Sequence, residues 1–245
     1  MLLRIKILIS KLLVNNITGF LLFLFYKGTI TFHGLKININ YKIIRKKIAA
    51  ALFFKTYESS EIRFIEKYLN NYSGTIIELG SSIGVMSSFI SKNNPNSKIL
   101  AFEADSRFIP IIQNNHKINN ITNVSAFNEI IGVNGYEFFI GEDNTKGKIQ
   151  KSNQNNSKNV NLNDILDRYK IDDDFVLISD IEGAEYFVLL NSDESVFKNC
   201  SMIIIELHDI EIDGNLITPE TMIAKMKAFG FTIVDQYAGN IVAKK

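Results

Sequence analysis

The sequence predicts an α/β fold, a seven-stranded and mostly parallel sheet with helices on both faces, preceded by a basic, apolar N-terminal helical extension. Three observations predict it. From Glu58 onward, helix-period patterns alternate with short runs rich in Ile, Val and Phe, as expected of strands joined by crossover helices. A glycine-spaced turn, Glu78-Leu-Gly-Ser-Ser-Ile-Gly84, joins one such run to a helix. All 26 Asp and Glu residues lie at or beyond Glu58, whereas ten Lys and Arg precede it.

The 245 residues divide, on this reading, into an extension over 1–50 and a main domain over 51–245. Residues 2–26 are rich in Leu, Ile and Phe but are interrupted by Lys11, Asn15, Asn16, Thr18 and Gly19. A spanning helix wants about 20 nearly unbroken apolar residues, so spanning is not favoured. Two readings stay open: the segment lies in an anionic membrane interface, or it packs as a cap on the main domain or on a second subunit as a homodimer. No small-residue cleavage site stands out before Lys27, so no signal peptide is expected. Thr29 to Asn40 alternates around Gly34 and reads as a hairpin, with His33 on a strand surface.

In the main domain, Ser59-Ser60-Glu61 caps a helix running to Leu69. Strands follow at Thr75–Leu79, Lys98–Phe102 and Asn123–Phe127, with helices at Ile83–Ser91 and Ser106–Asn119, where Pro110 is tolerated in the first turn. His116 falls on a polar helix face and is expected to be solvated. Tyr136–Ile140 reads as a strand and Asn144–Lys158 as a polar loop, either beside the substrate or merely solvated. A helix over Asn161–Tyr169 leads to a buried strand, Phe175–Ser179, and a helix begins at about Ala184. Ser201–Ile205 is a strand, Pro219–Phe229 a helix, and the chain ends in a hairpin turning near Gly239.

Composition narrows the function. The single cysteine, Cys200, excludes internal disulfides, fits a reducing cytoplasmic setting and reads as a buried, inert thiol. No His or Cys pair has zinc-ligand spacing. Trp is absent and the basic residues do not interleave with aromatics around the later motifs, so nucleic acid is not an expected partner.

The chemistry gathers at strand ends. Gly80 permits a tight turn close to a ligand, and Gly84 lets the helix start near the sheet. The acid Glu78 ahead of them would repel a diphosphate but suits an ammonium group. Glu103 ends the second strand, where a carboxylate can accept both hydroxyls of a ribose; Ala104 and Asp105 follow it. Asp180-Ile-Glu-Gly-Ala-Glu185 and Glu206-Leu-His208 end two further strands. His208 reads either as a proton acceptor or as a surface histidine, and Asp180, Glu182 and Glu206 alternatively suit a divalent cation.

These residues resemble the FkbM family of methyltransferases over about Tyr57 to Asp209. The resemblance rests on Tyr57-Glu-Ser-Ser-Glu61, Ile77-Glu-Leu-Gly-Ser-Ser-Ile-Gly84, Ala101-Phe-Glu-Ala104, the helix asparagines Asn115 and Asn119, and Asp180-Ile-Glu-Gly-Ala-Glu185 followed by Ile203-Ile-Ile-Glu-Leu-His208. It implies a class I, Rossmann-like methyltransferase fold and methyl transfer from S-adenosyl-L-methionine to oxygen, often on the sugars of polysaccharides. The cofactor-binding set is then Tyr57, Glu78, Gly80, Ser81, Ser82, Gly84, Glu103, Ala104, Asn128 and Asp180, and the catalytic set is Asp180, His208 and Glu182, with no metal. Ser81-Ser82 stand where the family has Ala-Asn, Ala104 where it has Pro, and Ile178 where it often has Lys. The acceptor expected is a carbohydrate or glycolipid, met in the cytoplasm or at the inner face of the cell membrane. The rival readings are a Rossmann-type oxidoreductase, whose glycine spacing is not met here, and a non-catalytic protein that keeps the cofactor fold.

Overall fold

The computed structural model describes residues 13–132, 136–140, 147–151, 159–212 and 215–245. In chain order, α1 (Asn16–Phe25) leads into a hairpin, β1 (Thr29–Phe32) and β2 (Leu35–Asn38), and then α2 (Lys47–Phe53). The repeating part is α3 (Ser59–Tyr68), β3 (Thr75–Leu79), α4 (Val85–Asn93), β4 (Lys98–Glu103), α5 (Ile109–Ile118) and β5 (Val124–Asn128). Short strands β6 (Ile130–Ile131), β7 (Tyr136–Ile140), β8 (Gly147–Lys151) and β9 (Asn159–Val160) come next. The chain closes with α6 (Leu162–Tyr169), β10 (Phe175–Ser179), α7 (Glu185–Leu189), β11 (Cys200–Glu206), β12 (Ile210–Ile212), β13 (Asn215–Ile217), α8 (Pro219–Ala228), β14 (Thr232–Tyr237) and β15 (Asn240–Lys244).

Seven strands form the main sheet in the order β14-β15-β11-β10-β3-β4-β5. The five from β11 to β5 are parallel, while β15 and β14 add antiparallel at one edge. The central β10 is buried at every residue, as a parallel strand covered on both faces must be. Alternation along each strand splits the side chains between two cores. Ile76, Ile99, Ile178 and Ile204 face one, and Ile77, Leu100, Leu177 and Ile203 face the other.

The first of these cores continues without a break into the extension. Ile30, Phe32, Ile37, Ile44 and Leu52 are buried against Phe64, Ile76 and Phe89. Polar bonds fix the same contact: Asn115 and Asn119 of α5 accept the β2 amides of Asn38 and Lys36, each at 2.8 Å. Asn119 also donates to the Lys36 carbonyl at 2.7 Å. These two asparagines therefore satisfy the open edge of the hairpin, and the division after residue 50 is not a break in packing.

Several local expectations change. The cap of α3 is Glu58, in a left-handed conformation with φ 43° and no side-chain cap bond, rather than the Ser59-Ser60-Glu61 box. The expected 144–158 loop contains a strand, because β8 pairs with β7 along the main chain and its polar side chains conceal it from a hydropathy reading. The remainder of that loop lies outside the described residues, as do residues 1–12 of the extension. His33 sits in the β1–β2 turn with φ 46°, not on a strand. His116 is buried rather than solvated, because α5 packs against α4: its Nε2 meets the Ser87 hydroxyl at 2.8 Å, and burial pulls its pKa down to about 4. Cys200 is buried, and burial pushes its thiol up to about 12. No helix among the described residues is long and apolar enough to cross a membrane.

Candidate cofactor site

The strand order reverses direction at β3, so the loops after β3 and β10 diverge and leave a crevice at their carboxyl ends. The turn after β3 is held down tightly. The amides of Gly80 and Ser81 both donate to the Phe102 carbonyl, at 2.9 and 3.0 Å, and the Asp180 amide donates to the Leu79 carbonyl at 3.0 Å. Gly80 has φ 91°, and a Cβ there would lie 1.8 Å from the Asp180 carbonyl oxygen. Only glycine lets the two strand tips touch.

A cavity of about 270 Å³ opens at this point. Ile83, Phe102, Phe108 and Ile131 give it apolar walls; the polar groups are Tyr57, Glu58, Glu103, Glu129, Asp180 and Glu182, with Ser82 and a single cation, Arg45. Of the expected cofactor residues, Tyr57, Gly80, Ser82, Glu103, Ala104 and Asp180 line it, whereas Glu78, Ser81, Gly84 and Asn128 do not. Each of the latter supports the wall from behind. Ser81 Oγ bonds Glu78 Oε2 at 3.0 Å. Gly84 starts α4 with its α-carbon face against Ile112. Asn128 donates to the carbonyls of Glu103 and Ala104, both at 2.9 Å.

Glu78, expected to face an ammonium group, lies behind the cavity wall rather than on it. Its side chain falls on the same face of β3 as Ile76 and is buried to 2% beneath the loop, near the first turn of α4. Among the acids on the cavity wall, Glu58, Glu129 and Asp180 each have one buried oxygen with no hydrogen-bond partner, as does Glu78 behind it. Glu58 was not among the expected site residues, although it stands second in the Tyr57-Glu-Ser-Ser-Glu61 match to the family.

Glu103 is the best-organised acceptor. Ser82 donates its amide to Oε2 at 2.7 Å and Asp105 to Oε1 at 2.8 Å. Two amides occupy only about half of a carboxylate's lone-pair capacity, so both oxygens can still accept hydroxyl donors. Ser82 makes this bond from a left-handed conformation, φ 47°. That region costs an L-residue roughly 1–2 kcal/mol. Ser82→Gly, which keeps the amide, is therefore expected to raise stability by about 0.5–1 kcal/mol, and Ser82→Val to lower it by more than about 1 kcal/mol. Urea unfolding checks both; equal stability of the three proteins contradicts the strain.

A rim of acceptors around apolar walls suits a ligand with a cationic amine, hydroxyl donors and a flat base, and repels a diphosphate. The model of the Methyltransferase FkbM domain matches residues 78–233. The chain belongs to the FkbM methyltransferase family. Its fold is the class I, Rossmann-like methyltransferase fold, and its cofactor is S-adenosylmethionine. The oxidoreductase reading is thereby set aside. No curated protein matches the chain. Among solved structures it is similar to a methyltransferase from Pyrococcus furiosus, at 15% identity and TM-score 0.46 over 87% of this chain and 90% of that one. It is also similar to precorrin-6y C5,15-methyltransferase from Geobacter metallireducens, at 14% identity and TM-score 0.41 over 83% and 91%. A third is Aeropyrum pernix fibrillarin with natively bound S-adenosyl-L-methionine, at 11% identity and TM-score 0.41 over 76% and 74%.

The residues of this methyltransferase that carry the Asp-x-Glu-Gly motif form a second cluster beside the cavity. Glu185 is fully buried and accepts the amides of Ile181 and Gly183, both at 2.8 Å, which closes the loop on itself. Its Oε1 lies 3.4 Å from His208 Nδ1, and Glu182 and Glu206 approach Nε2 at 3.6 and 3.9 Å. Burial disfavours the imidazolium, but these acids and Asp180 outweigh it and push His208 up to about 9. A raised proton affinity favours the imidazolium and suits His208 to pairing with these acids, which bears against the proton-acceptor alternative of the two readings. It does not line the cavity. Asp180 is held well above the usual carboxylate range by burial and then by Glu206, Glu185 and Glu61, against the pull of His208. Among the described residues, two triads bring ligand atoms within 4.8 Å of one another, Asp180–Glu182–His208 and Glu61–Asp180–Glu206. The second is the all-oxygen set that a hard divalent cation would use.

Excess acid in a dry site makes the ligand-free methyltransferase pH-sensitive. Burial pushes Glu78 from 4.5 up to about 8, and Glu61 and Glu103 up to about 7. Across that window the folded chain keeps protons that the unfolded chain has released, so stability falls as pH rises. His208 acts in the same direction: its contribution is full below 6.5 and is lost as pH passes about 9. The melting temperature without ligand is expected to drop from pH 5 to pH 9, and the Glu78→Gln variant to show a shallower drop. A melting temperature that rises over this range contradicts the assignment.

Proposed function

We propose that the methyl group goes to a hydroxyl oxygen of a sugar, in a surface polysaccharide or glycolipid precursor, and that Asp180 receives the hydroxyl proton. The observation that carries this reading is Asp180 itself: a cavity-lining carboxyl with one unpartnered oxygen and a raised proton affinity. A carboxylate made more basic by its surroundings is a better general base at neutral pH. Glu182 and Glu129 on the same wall are acceptors suited to the neighbouring hydroxyls of a polyol.

S-adenosylmethionine, when bound, supplies an electrophilic methyl whose bond to sulfur breaks as the acceptor oxygen attacks, the sulfur keeping the electron pair. Glu103 and the turn at Gly80 and Ser82 would hold its nucleoside end, and Glu58 and Asp180 its cationic amino-acid end. The apolar walls exclude water, so most of the rate comes from positioning, with the base adding a smaller share. The position where relatives carry lysine, Ile178, is a core residue here, and Arg45 is the only basic side chain among the lining residues. No lysine at position 178 is therefore available to assist the transfer.

Transfer of labelled methyl from S-adenosylmethionine to lipid-linked oligosaccharides tests the reading. It expects a product stable to mild alkali, as an ether is. Label that appears only in an alkali-labile ester, or on nitrogen, overturns the hydroxyl as acceptor. The setting that goes with this acceptor is the cytoplasm, at the inner face of the cell membrane.

A further inference from the structure

We infer that α1 docks the protein on an anionic lipid surface and, through the 43–48 segment, holds the cavity wall close to that surface. The claim about docking stands on the extension alone; its bearing on the acceptor rests on the reading of the cavity given above.

The face that α1 leaves uncovered is apolar. Ile17, Leu21, Leu24 and Phe25 are 55–78% exposed, and Leu13 and Phe20 continue the same surface. Tyr26 and Phe53 extend it, their rings 5.6 Å apart. An isolated exposed leucine needs no explanation, but a contiguous patch of this kind marks an interaction surface. The opposite face is fixed to the body. A Cβ on Gly19 would lie 1.9 Å from the Lys46 carbonyl oxygen, so the helix backbone rests directly on the start of α2. Asn16 Oδ1 accepts the Lys47 amide at 3.1 Å. The helix is thus presented rigidly, with its apolar face outward.

Charge selects the occupant. The first 57 residues hold ten cations and no acid; Lys27 directly follows Tyr26 at the end of α1, and Lys42 and Lys55, near in sequence to α2, are exposed as well. A second copy seated on this face would bring two acid-free, cation-rich segments together, which like-charge repulsion opposes. Anionic headgroups complement them, and a helix of 10 residues is too short to span but suits the interfacial plane. The cavity follows directly in the chain, since Ile43, Ile44, Arg45 and Ile48 line it and run into α2, on which α1 rests.

The test is co-sedimentation of the full chain with vesicles, either phosphatidylcholine alone or with about a third phosphatidylglycerol. Binding at least about tenfold tighter to the anionic vesicles is expected, and added salt should weaken it. Changing Ile17→Gln, Leu21→Gln, Leu24→Gln and Phe25→Gln together should weaken it by about tenfold or more. Affinity for S-adenosylhomocysteine should stay within about twofold, because none of the four lines the cavity; this reads out folding. A milder variant, Lys27→Gln with Lys42→Gln and Lys55→Gln, should lose the preference for anionic vesicles while keeping the apolar face. Equal binding of native protein and variants overturns the inference. So does a native dimer, seen by light scattering, that the apolar substitutions dissociate while no vesicle binding is found. No turnover is measured, so failure here and failure of the methyltransferase reading remain distinct.

Discussion

Replacing Glu103 by alanine is expected to weaken binding of S-adenosylhomocysteine about 100-fold. Hydrogen bonds to a charged acceptor are each worth roughly 1.5–3 kcal/mol, and Glu103 is placed to accept two from one ribose. It also anchors the Ser82 and Asp105 amides, so alanine loosens the turn that forms the cavity floor. Glu103→Gln keeps an acceptor oxygen and should cost about tenfold, which guards against reading a folding defect as a binding defect. The pH dependence has a definite sign. Burial pushes Glu103 to about 7, and only the ionised form accepts fully. Affinity should therefore rise as pH rises through 7, with protons released on binding, which calorimetry in buffers of different ionisation enthalpy measures. Unchanged affinity in both variants would remove the ribose from Glu103.

Asp180→Asn is expected to reduce kcat by about 10²- to 10⁴-fold, the range for loss of a positioned base. Asparagine retains the backbone carbonyl that meets Gly80, and the strand tips should stay in contact. Affinity for S-adenosylhomocysteine should fall by no more than about tenfold, since Glu58 still faces the amine. His208→Gln should act differently. Removing the imidazolium takes away the one group that lowers the Asp180 proton affinity, so the acid limb of kcat/KM should move to higher pH. A kcat for Asp180→Asn within threefold of the native value would mean that the acceptor proton leaves by another path.

The sheet was legible because parallel strands buried on both faces leave apolar runs with sharp ends. Thr75–Leu79 and Phe175–Ser179 were read to the residue for that reason. The site was legible as far as chain position alone fixes it: Glu103 ends β4 and Asp180 follows β10, the strands on either side of β3. Side-chain direction was not. Glu78 shares the ligand edge in sequence, yet the pleat turns it under the loop, and the cavity wall is left to acids such as Glu58 and Asp180. The left-handed turn at Glu58 and the wall built from residues 43–48 depend on contacts across the fold that no local pattern records. Asn115 and Asn119 show the same limit: their match to the family says nothing of their bonds to the hairpin edge, which appear only once β2 is in place. The polar β8 was concealed because its pairing is made by the main chain and leaves no trace in hydropathy.

One molecule must reach from the β4 tip to the gap between the β3 and β10 tips, donating hydroxyls at one end and a positive charge at the other. A crystal structure of the full chain grown with S-adenosylhomocysteine measures this directly. Ribose hydroxyls within roughly 2.5–3.0 Å of the Glu103 carboxylate, with the amine beside Glu58 and Asp180, are expected. A ligand bound with its ribose turned away from Glu103, or with its amine outside the pair formed by Glu58 and Asp180, would contradict it.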